Sequence, residues 1–153
     1  MSTANSASLL WPTTDYTKTI RESATKATAS GDAWVYMFIA AIPADAVGSW
    51  TVSADVYRNV IIDNHTDAGL SVRECGLNPI YTFAVTDAQP VARRTSVNLA
   101  NCNKCHDTLA LHGGQRFKIE ECVICHNPVA DDSSRRPAAQ NPPESISFQR
   151  MVH

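Results

Sequence analysis

Two Cys-X-X-Cys-His motifs lie close together near the C-terminal end of the chain and limit what it can fold into more than any other feature. They occupy residues 102–106 and 122–126, named here the first box and the second box. Two thiols at this spacing can each bond one vinyl group of the same porphyrin, and the adjacent imidazole then lies under the iron. Because the chain has only five cysteines, the repetition favours a specific chemistry over coincidence.

The boxes predict two covalent haem c sites and assign six residues to them. The histidine of each box is the proximal ligand of its haem iron. The predicted haem-binding residues are Cys102, Cys105 and His106 of the first box and Cys122, Cys125 and His126 of the second box.

The four cysteines of the boxes also fit a second interpretation. Their spacing, C-x2-C-x16-C-x2-C, is that of a four-thiolate zinc ribbon, which would make this region an interaction module beside a β-sandwich. Zinc needs no histidine after each cysteine pair, so the ribbon leaves His106 and His126 unexplained. The sequence therefore favours haem and keeps the zinc ribbon as the alternative.

Composition and charge exclude several classes of protein. A net charge of −2 and a pI near 6.2 give no basic surface for nucleic acid. No apolar run approaches the ~18 residues of a membrane helix. Residues 1–8 lack the basic start and apolar core of an export signal, and residues 144–153 resemble a helix that is cut short. We therefore expect the chain to be a fragment of a longer, exported protein.

Residues 1–90 are predicted to form part of a β-sandwich of Ig-like or Greek-key type. Alternating side chains indicate strands at residues 34–39 and 50–56, which we expect to pair as antiparallel neighbours. A weaker strand is indicated at residues 70–73 and another at residues 81–85. Residues 1–31 offer little strand signal, so we expect the sandwich to be incomplete.

Residues 91–153 predict a loop-rich dihaem cytochrome segment with short helices. The segment holds few large apolar side chains, so two porphyrins would supply much of the missing core. Near its end, Asn141, Pro142 and Glu144 occupy the positions of an N-cap, a first helical residue and a capping box. The helix that they open would carry Ile146 and His153 on one face.

The sixth iron ligands are expected to be histidines. If residues 107–111 are helical, His112 lies about 9 Å along the axis from His106 and cannot reach the opposite face of that haem. His112 therefore serves another haem or is a surface residue before a glycine turn, and the haem of the second box is the most economical partner. His153 is a further candidate distal ligand, whereas His65, in a polar turn, is expected to face solvent.

Six stretches of the sequence carry a family resemblance. They are residues 42–51 (IPADAVGSWT), 83–87 (FAVTD), 92–94 (ARR), 101–106 (NCNKCH), 109–116 (LALHGGQR) and 121–128 (ECVICHNP). These stretches resemble the OmcA/MtrC-type decahaem c-type cytochromes of bacterial outer membranes. The similarity runs from about residue 32 to residue 153 and is most specific over residues 101–128.

The resemblance implies a β domain followed by a multihaem domain whose haems are held by two histidines each. It implies His112, in a His-Gly-Gly element, as a distal ligand, and a location on the extracellular face of the outer membrane. The implied partners are further haems outside this chain, outer-membrane porin-cytochrome partners, and extracellular metal oxides, metal ions or flavins. We expect an electron-transfer protein rather than an enzyme, with metal reduction confined to the longer protein.

Overall fold

The computed structural model describes residues 7–12, 20–23, 27–62, 70–95 and 97–152. Within these ranges a β-rich unit comes first, and a segment of loops and short helices follows it. The strands of the β unit are β1 (Ala7–Pro12), β2 (Ile20–Ser23), β3 (Thr28–Ser30), β4 (Ala33–Val35), β5 (Ser49–Ala54), β6 (Tyr57–Ile62), β7 (Leu70–Cys75) and β8 (Ile80–Ala84).

Four of these strands form one antiparallel sheet in the order β2-β1-β5-β8. Trp50 on β5 is fully buried, and its indole nitrogen donates a hydrogen bond of 3.2 Å to the carbonyl oxygen of Val47. An aromatic side chain of this size contributes more apolar burial than any other type. The apolar residues that pack around it are Ile20, Phe38, Ala46, Val52, Phe83 and Val85.

The strand predicted at residues 34–39 is largely wrong. Strand β4 ends at Val35 and pairs with β3, not with β5. Glu22 supplies the physical reason, because its carboxylate accepts hydrogen bonds from the backbone N–H groups of Ile39 at 2.9 Å and Ala40 at 2.7 Å. Amides that are satisfied by a side chain do not take part in a strand ladder. Local periodicity cannot reveal the contact with Glu22, because Glu22 lies 17 residues before Ile39 in the chain.

The other predicted strands are present with shifted ends. Those at residues 50–56, 70–73 and 81–85 correspond to β5, β7 and β8. Residues 1–31, which offered little strand signal, contain β1, β2 and β3, and β1 pairs directly with β5. Strand β6 was not anticipated either, and it forms a two-stranded ribbon with β7.

The C-terminal segment contains three short helices in its described part. They are α1 (Leu99–His106), α2 (Ile119–Cys125) and α3 (Phe148–Met151), with a 3₁₀ turn at Ala138–Gln140. A β-rich unit followed by an irregular segment with short helices is the predicted fold class, which is thereby confirmed. Among the helices that can be described, none has both the length and the apolar character needed to cross a membrane.

The helix predicted from the capping-box pattern is wrong over most of its length. Helix α3 begins only at residue 148, with Ser147 at its N-cap. The backbone before it pairs with residues 130–132, because the N–H of Asp132 donates to the Glu144 carbonyl and that of Ile146 donates to the Ala130 carbonyl, both at 3.0 Å. The Asp132 carboxylate also accepts from the N–H of Glu144 at 2.9 Å. These hydrogen bonds to residues 130–132 take the place of the helix N-cap that was predicted at Asn141.

Candidate haem site

The first box occupies the second half of helix α1. The side chain of Asn98 caps this helix by accepting a hydrogen bond of 2.9 Å from the N–H of Ala100. The helix ends at His106, and Asp107 follows in a left-handed conformation with φ of 56°. The condition under which His112 was placed about 9 Å from His106, a helix at residues 107–111, is therefore not met.

The second box lies on helix α2 and is more deeply buried than the first. Cys122 and Ile124 are 5 % and 2 % exposed, whereas Cys105 of the first box is exposed. Burial, and then the neighbouring carboxylate of Glu121, raise the pKa of the Cys122 thiol to about 11. The free thiol is therefore neutral at physiological pH, as suits a small side chain packed in an apolar wall.

His126 directly follows helix α2, and its ring is held in one orientation. Its Nδ1 lies 2.8 Å from the carbonyl oxygen of Ile146, and its own carbonyl accepts from the N–H of Phe148 at 2.8 Å. An Nδ1 that donates to a backbone carbonyl leaves Nε2 as the nitrogen that can bind a metal. This arrangement is the one that a proximal haem ligand requires.

His112 lies in a tight turn that we name the His112 turn, residues 111–116. The turn is closed by a backbone hydrogen bond of 3.0 Å from Leu111 to the carbonyl of Arg116. His112, Gly113 and Gly114 all have positive φ, at 54°, 76° and 79°. Gly113 and Gly114 adopt this left-handed conformation at little steric cost, because they carry no Cβ to clash with the backbone.

The turn brings the His112 ring opposite the ring of His126. Their centroids are 5.9 Å apart and their planes differ by 27°. With about 2 Å from each ring nitrogen to a shared metal ion, two imidazoles that bind from opposite sides through their in-plane nitrogens have centroids about 6 Å apart. The separation of the two rings therefore fits one iron between them, and the residues present fit a haem held by two histidines.

Both boxes contribute to one cavity of about 250 Å³ beside this histidine pair. Three of the four box cysteines line it, while Cys125 is half-buried and not part of the lining. His153 lies outside the described residues, as does His65. The lining residues are Asn101, Cys102, Cys105, His106, Leu109, Leu111, His112, Cys122, His126, Phe148, Met151 and Val152.

The structure does not assemble the alternative zinc site. Among the described residues, which include all four box cysteines, no three His, Cys, Asp or Glu side chains are close enough to hold one metal ion. A larger groove of about 840 Å³ runs between β5, β8 and the starts of α1 and α2, and neither cysteine nor histidine lines it. The candidate site is therefore the smaller cavity, where the boxes meet.

Sequence reasoning missed two features of this site. The carbonyl of Ile146 orients His126, but a backbone contact across twenty residues has no sequence signal. The aromatic and aliphatic wall from α3, formed by Phe148, Met151 and Val152, was also missed. The sequence signal for this wall was the spacing of apolar residues in the last predicted helix, and it was missed because that helix was predicted to begin too early.

The part of the chain that forms this site matches a known class of protein, the bacterial outer-membrane cytochromes. The matching family model is described as outer membrane cytochrome MtrC/MtrF-like, domains II/IV, and it covers residues 94–153. This segment, with both boxes and the His112 turn, matches the MtrC/MtrF-like family, which confirms the predicted resemblance to OmcA/MtrC-type cytochromes. The family is one of electron-transfer cytochromes of the outer membrane, for which c-type haem is the general cofactor. No curated protein and no solved structure matches the chain.

Proposed function

We propose that this chain carries two c-type haems and transfers single electrons between them and onward to partner haems. The observation that carries the proposal is the pairing of His112 with His126 at 5.9 Å, beside a cavity that both boxes line. When bound, haem supplies reversible one-electron chemistry at iron.

The residues of the chain have distinct roles in this proposal. Cys122 and Cys125 anchor one porphyrin, and His126 is its proximal ligand, oriented by the Ile146 carbonyl. His112 is its distal ligand, presented by a turn that two glycines allow. His112 and His126 together would leave the iron no open position for substrate, which would suit electron transfer rather than catalysis.

The first box is proposed to anchor the second porphyrin through Cys102 and Cys105, with His106 as its proximal ligand. His153 remains a further candidate distal ligand from sequence and is not assigned to either haem. The apolar side chains Leu109 and Phe148 line the same cavity and would exclude water from the space between the two sites. A dry, rigid surrounding keeps the reorganisation that accompanies electron transfer small.

The larger setting of the chain follows from the family and is part of the proposal. We propose that residues 1–90 form a β domain and that residues 91–153 form the start of a multihaem domain. The protein would act at the extracellular face of the outer membrane, next to porin-cytochrome partners. Its electrons would pass through further haems to metal oxides, metal ions or flavins outside the cell.

A maturation experiment tests the central claim. The chain is produced with an export signal in a host that attaches haem c, and intact mass and the dithionite-reduced visible spectrum are recorded. We expect two covalent haem additions and sharp reduced bands that survive acid-acetone extraction. The matched variant Cys122→Ala/Cys125→Ala should carry one addition. A colourless protein of unmodified mass would refute the proposal, and stoichiometric zinc in that protein would support the zinc ribbon instead.

A further inference from the structure

We infer that Asp55 and Asn78 of the β unit are positioning residues for His112, an inference that rests on the proposed function. They act through Arg116, the closing residue of the His112 turn, and through the backbone on either side of it. The β unit is thereby more than a neighbour of the haem segment, because it helps to set the distance between two iron ligands.

The first contact is a buried ion pair between Asp55 and Arg116. Asp55, just after β5, and Arg116 are 5 % and 6 % exposed. The Arg116 guanidinium donates to Asp55 Oδ2 from Nη2 at 2.9 Å and from Nε at 3.2 Å. A paired geometry of this kind fixes direction as well as distance. Glu121 of α2 approaches the same Nε at 4.0 Å, so one guanidinium joins the β unit to the helix of the second box.

The second contact is made by Asn78, which is completely buried just before β8. Its Oδ1 accepts from the N–H of Phe117 at 2.8 Å, and its Nδ2 donates to the carbonyl of Gln115 at 2.9 Å. The amide therefore bonds to the backbone on both sides of Arg116, as a neighbouring strand would. The side chain of Arg116 and the backbone groups of its two neighbours, Gln115 and Phe117, are therefore all hydrogen-bonded to the β unit.

The two fastened elements are those that carry the facing histidines. The His112 turn closes on the carbonyl of Arg116 at 3.0 Å, and Gln115 and Arg116 donate back to the Leu111 carbonyl at 3.0 and 3.2 Å. Helix α2 begins three residues later, after Lys118 at its N-cap, and ends beside His126. Because turn and helix leave from the same clamped position, a rotation there changes how the His112 ring faces His126.

The test compares the haem spin state of matured variants with that of the wild-type chain. Asp55→Asn removes the charge and keeps the side-chain shape, whereas Asn78→Leu removes both amide hydrogen bonds at similar volume. We expect each variant to keep two covalent haems but to gain a high-spin, five-coordinate fraction in its visible and paramagnetic-resonance spectra. Added imidazole should return that fraction to the low-spin form. Glu74→Gln, which removes an exposed carboxylate of the same β unit, is the matched control and should leave the spectrum unchanged.

A double variant separates positioning from general damage to the fold. If Asp55 acts through the distal ligand, Asp55→Asn/His112→Ala should have the same high-spin fraction as His112→Ala alone. Low-spin spectra in both folded single variants would overturn the inference while leaving the proposed function intact. The inference also fails if imidazole does not reverse the change. A wild-type chain without haem at the second box would instead refute the proposed function. If Asp55→Asn does not accumulate, the spectrum of a folded Asn78→Leu protein alone tests the positioning inference.

Discussion

The guanidinium of Arg73 lies over the ring of Tyr57, with its central carbon 4.2 Å from the ring centroid. The two residues are diagonal neighbours on the β6–β7 ribbon, where Tyr57 pairs with Cys75 and Arg73 pairs with Asn59, and the stacking holds a long, exposed side chain in one direction. In that direction Arg73 reaches the His112 turn, where its Nη1 lies 3.8 Å from the place that a Cβ would take on Gly113. A fixed positive charge thus lies next to the residue that follows the proposed distal ligand.

This geometry predicts that Arg73→Gln lowers the reduction potential of the second-box haem. Reduction removes one positive charge from the site, and a nearby cation favours the reduced form because its Coulomb repulsion with the site becomes weaker. The measurement is a potentiometric titration followed in the visible spectrum. The difference between variant and wild type should shrink at high ionic strength, because the Arg73 charge is exposed and screened.

Arg58→Gln is the matched control for this charge. Arg58 lies on the same ribbon but forms its ion pair with Glu74, and its cross-strand pair is displaced by one residue from that of Arg73, on the other face. The two variants change the net charge of the chain equally. Equal shifts of potential in both would show that only net charge matters and would contradict the placement of Arg73 at the His112 turn.

The glycines of the His112 turn are predicted to be required for their backbone conformation rather than for space. A Cβ on Gly114 would meet nothing within 4 Å, and one on Gly113 would meet only ordinary contacts, yet both residues have positive φ. Alanine at either position should therefore lower the free energy of unfolding by about 1–2 kcal/mol, as measured by urea denaturation. Gly76→Ala, at a glycine without a left-handed φ and with similar room, should change it far less.

The residues of the two boxes show how far sequence could define the site. The six predicted haem-binding residues follow from a local motif, and the pairing of His112 with the second box rested on chain geometry, whose helical premise is wrong. What brings His112 to His126 is a left-handed turn, and the His-Gly-Gly order is its only local signal. The contact of His126 with Ile146 depends on strand-like pairing between distant residues, which periodicity cannot reveal.

The β unit was predictable in part from alternating side chains. Trp50 and its strand are an example, because the tryptophan fills the core as predicted, although the polar residues Ser49, Thr51 and Ser53 of the same strand are buried as well. The segment around Met37 has the same alternation, yet Met37 is 82 % exposed and its neighbours bond to Glu22 instead. A carboxylate from a distant part of the chain bonds to the backbone in both places where the prediction was wrong. Glu22 does so at residues 39–40, and Asp132 does so before the start of α3. Local sequence patterns cannot detect such contacts.

Acid is predicted to weaken the connection that holds the Ile146 carbonyl in place. Arg136, and then the backbone N–H of Glu144, lower the pKa of Asp132 below its ordinary value of 3.8. A depressed carboxyl pKa contributes stability above about pH 4 and loses it as the pH falls through the folded-state value. Asp132→Asn should therefore unfold at lower urea than wild type at neutral pH, and the two should converge as the pH falls below the lowered pKa of Asp132. Asp32→Asn, which removes the same charge from an exposed turn, is the matched control and should unfold at the same urea as wild type at neutral pH.

A change of the proposed distal ligand, His112, is predicted to shift the reduction potential of the second-box haem in a known direction. His112→Met keeps a side chain that can bind iron, but replaces imidazole by thioether, and His/Met ligation raises the reduction potential relative to two imidazoles. The second-box haem should therefore stay low-spin while its potential rises. His112→Ala provides the reference state, in which the same haem should be high-spin and should bind added imidazole. Because the two rings are 5.9 Å apart in the protein, a haem whose spectrum and potential ignored both substitutions would mean that another residue occupies the sixth position.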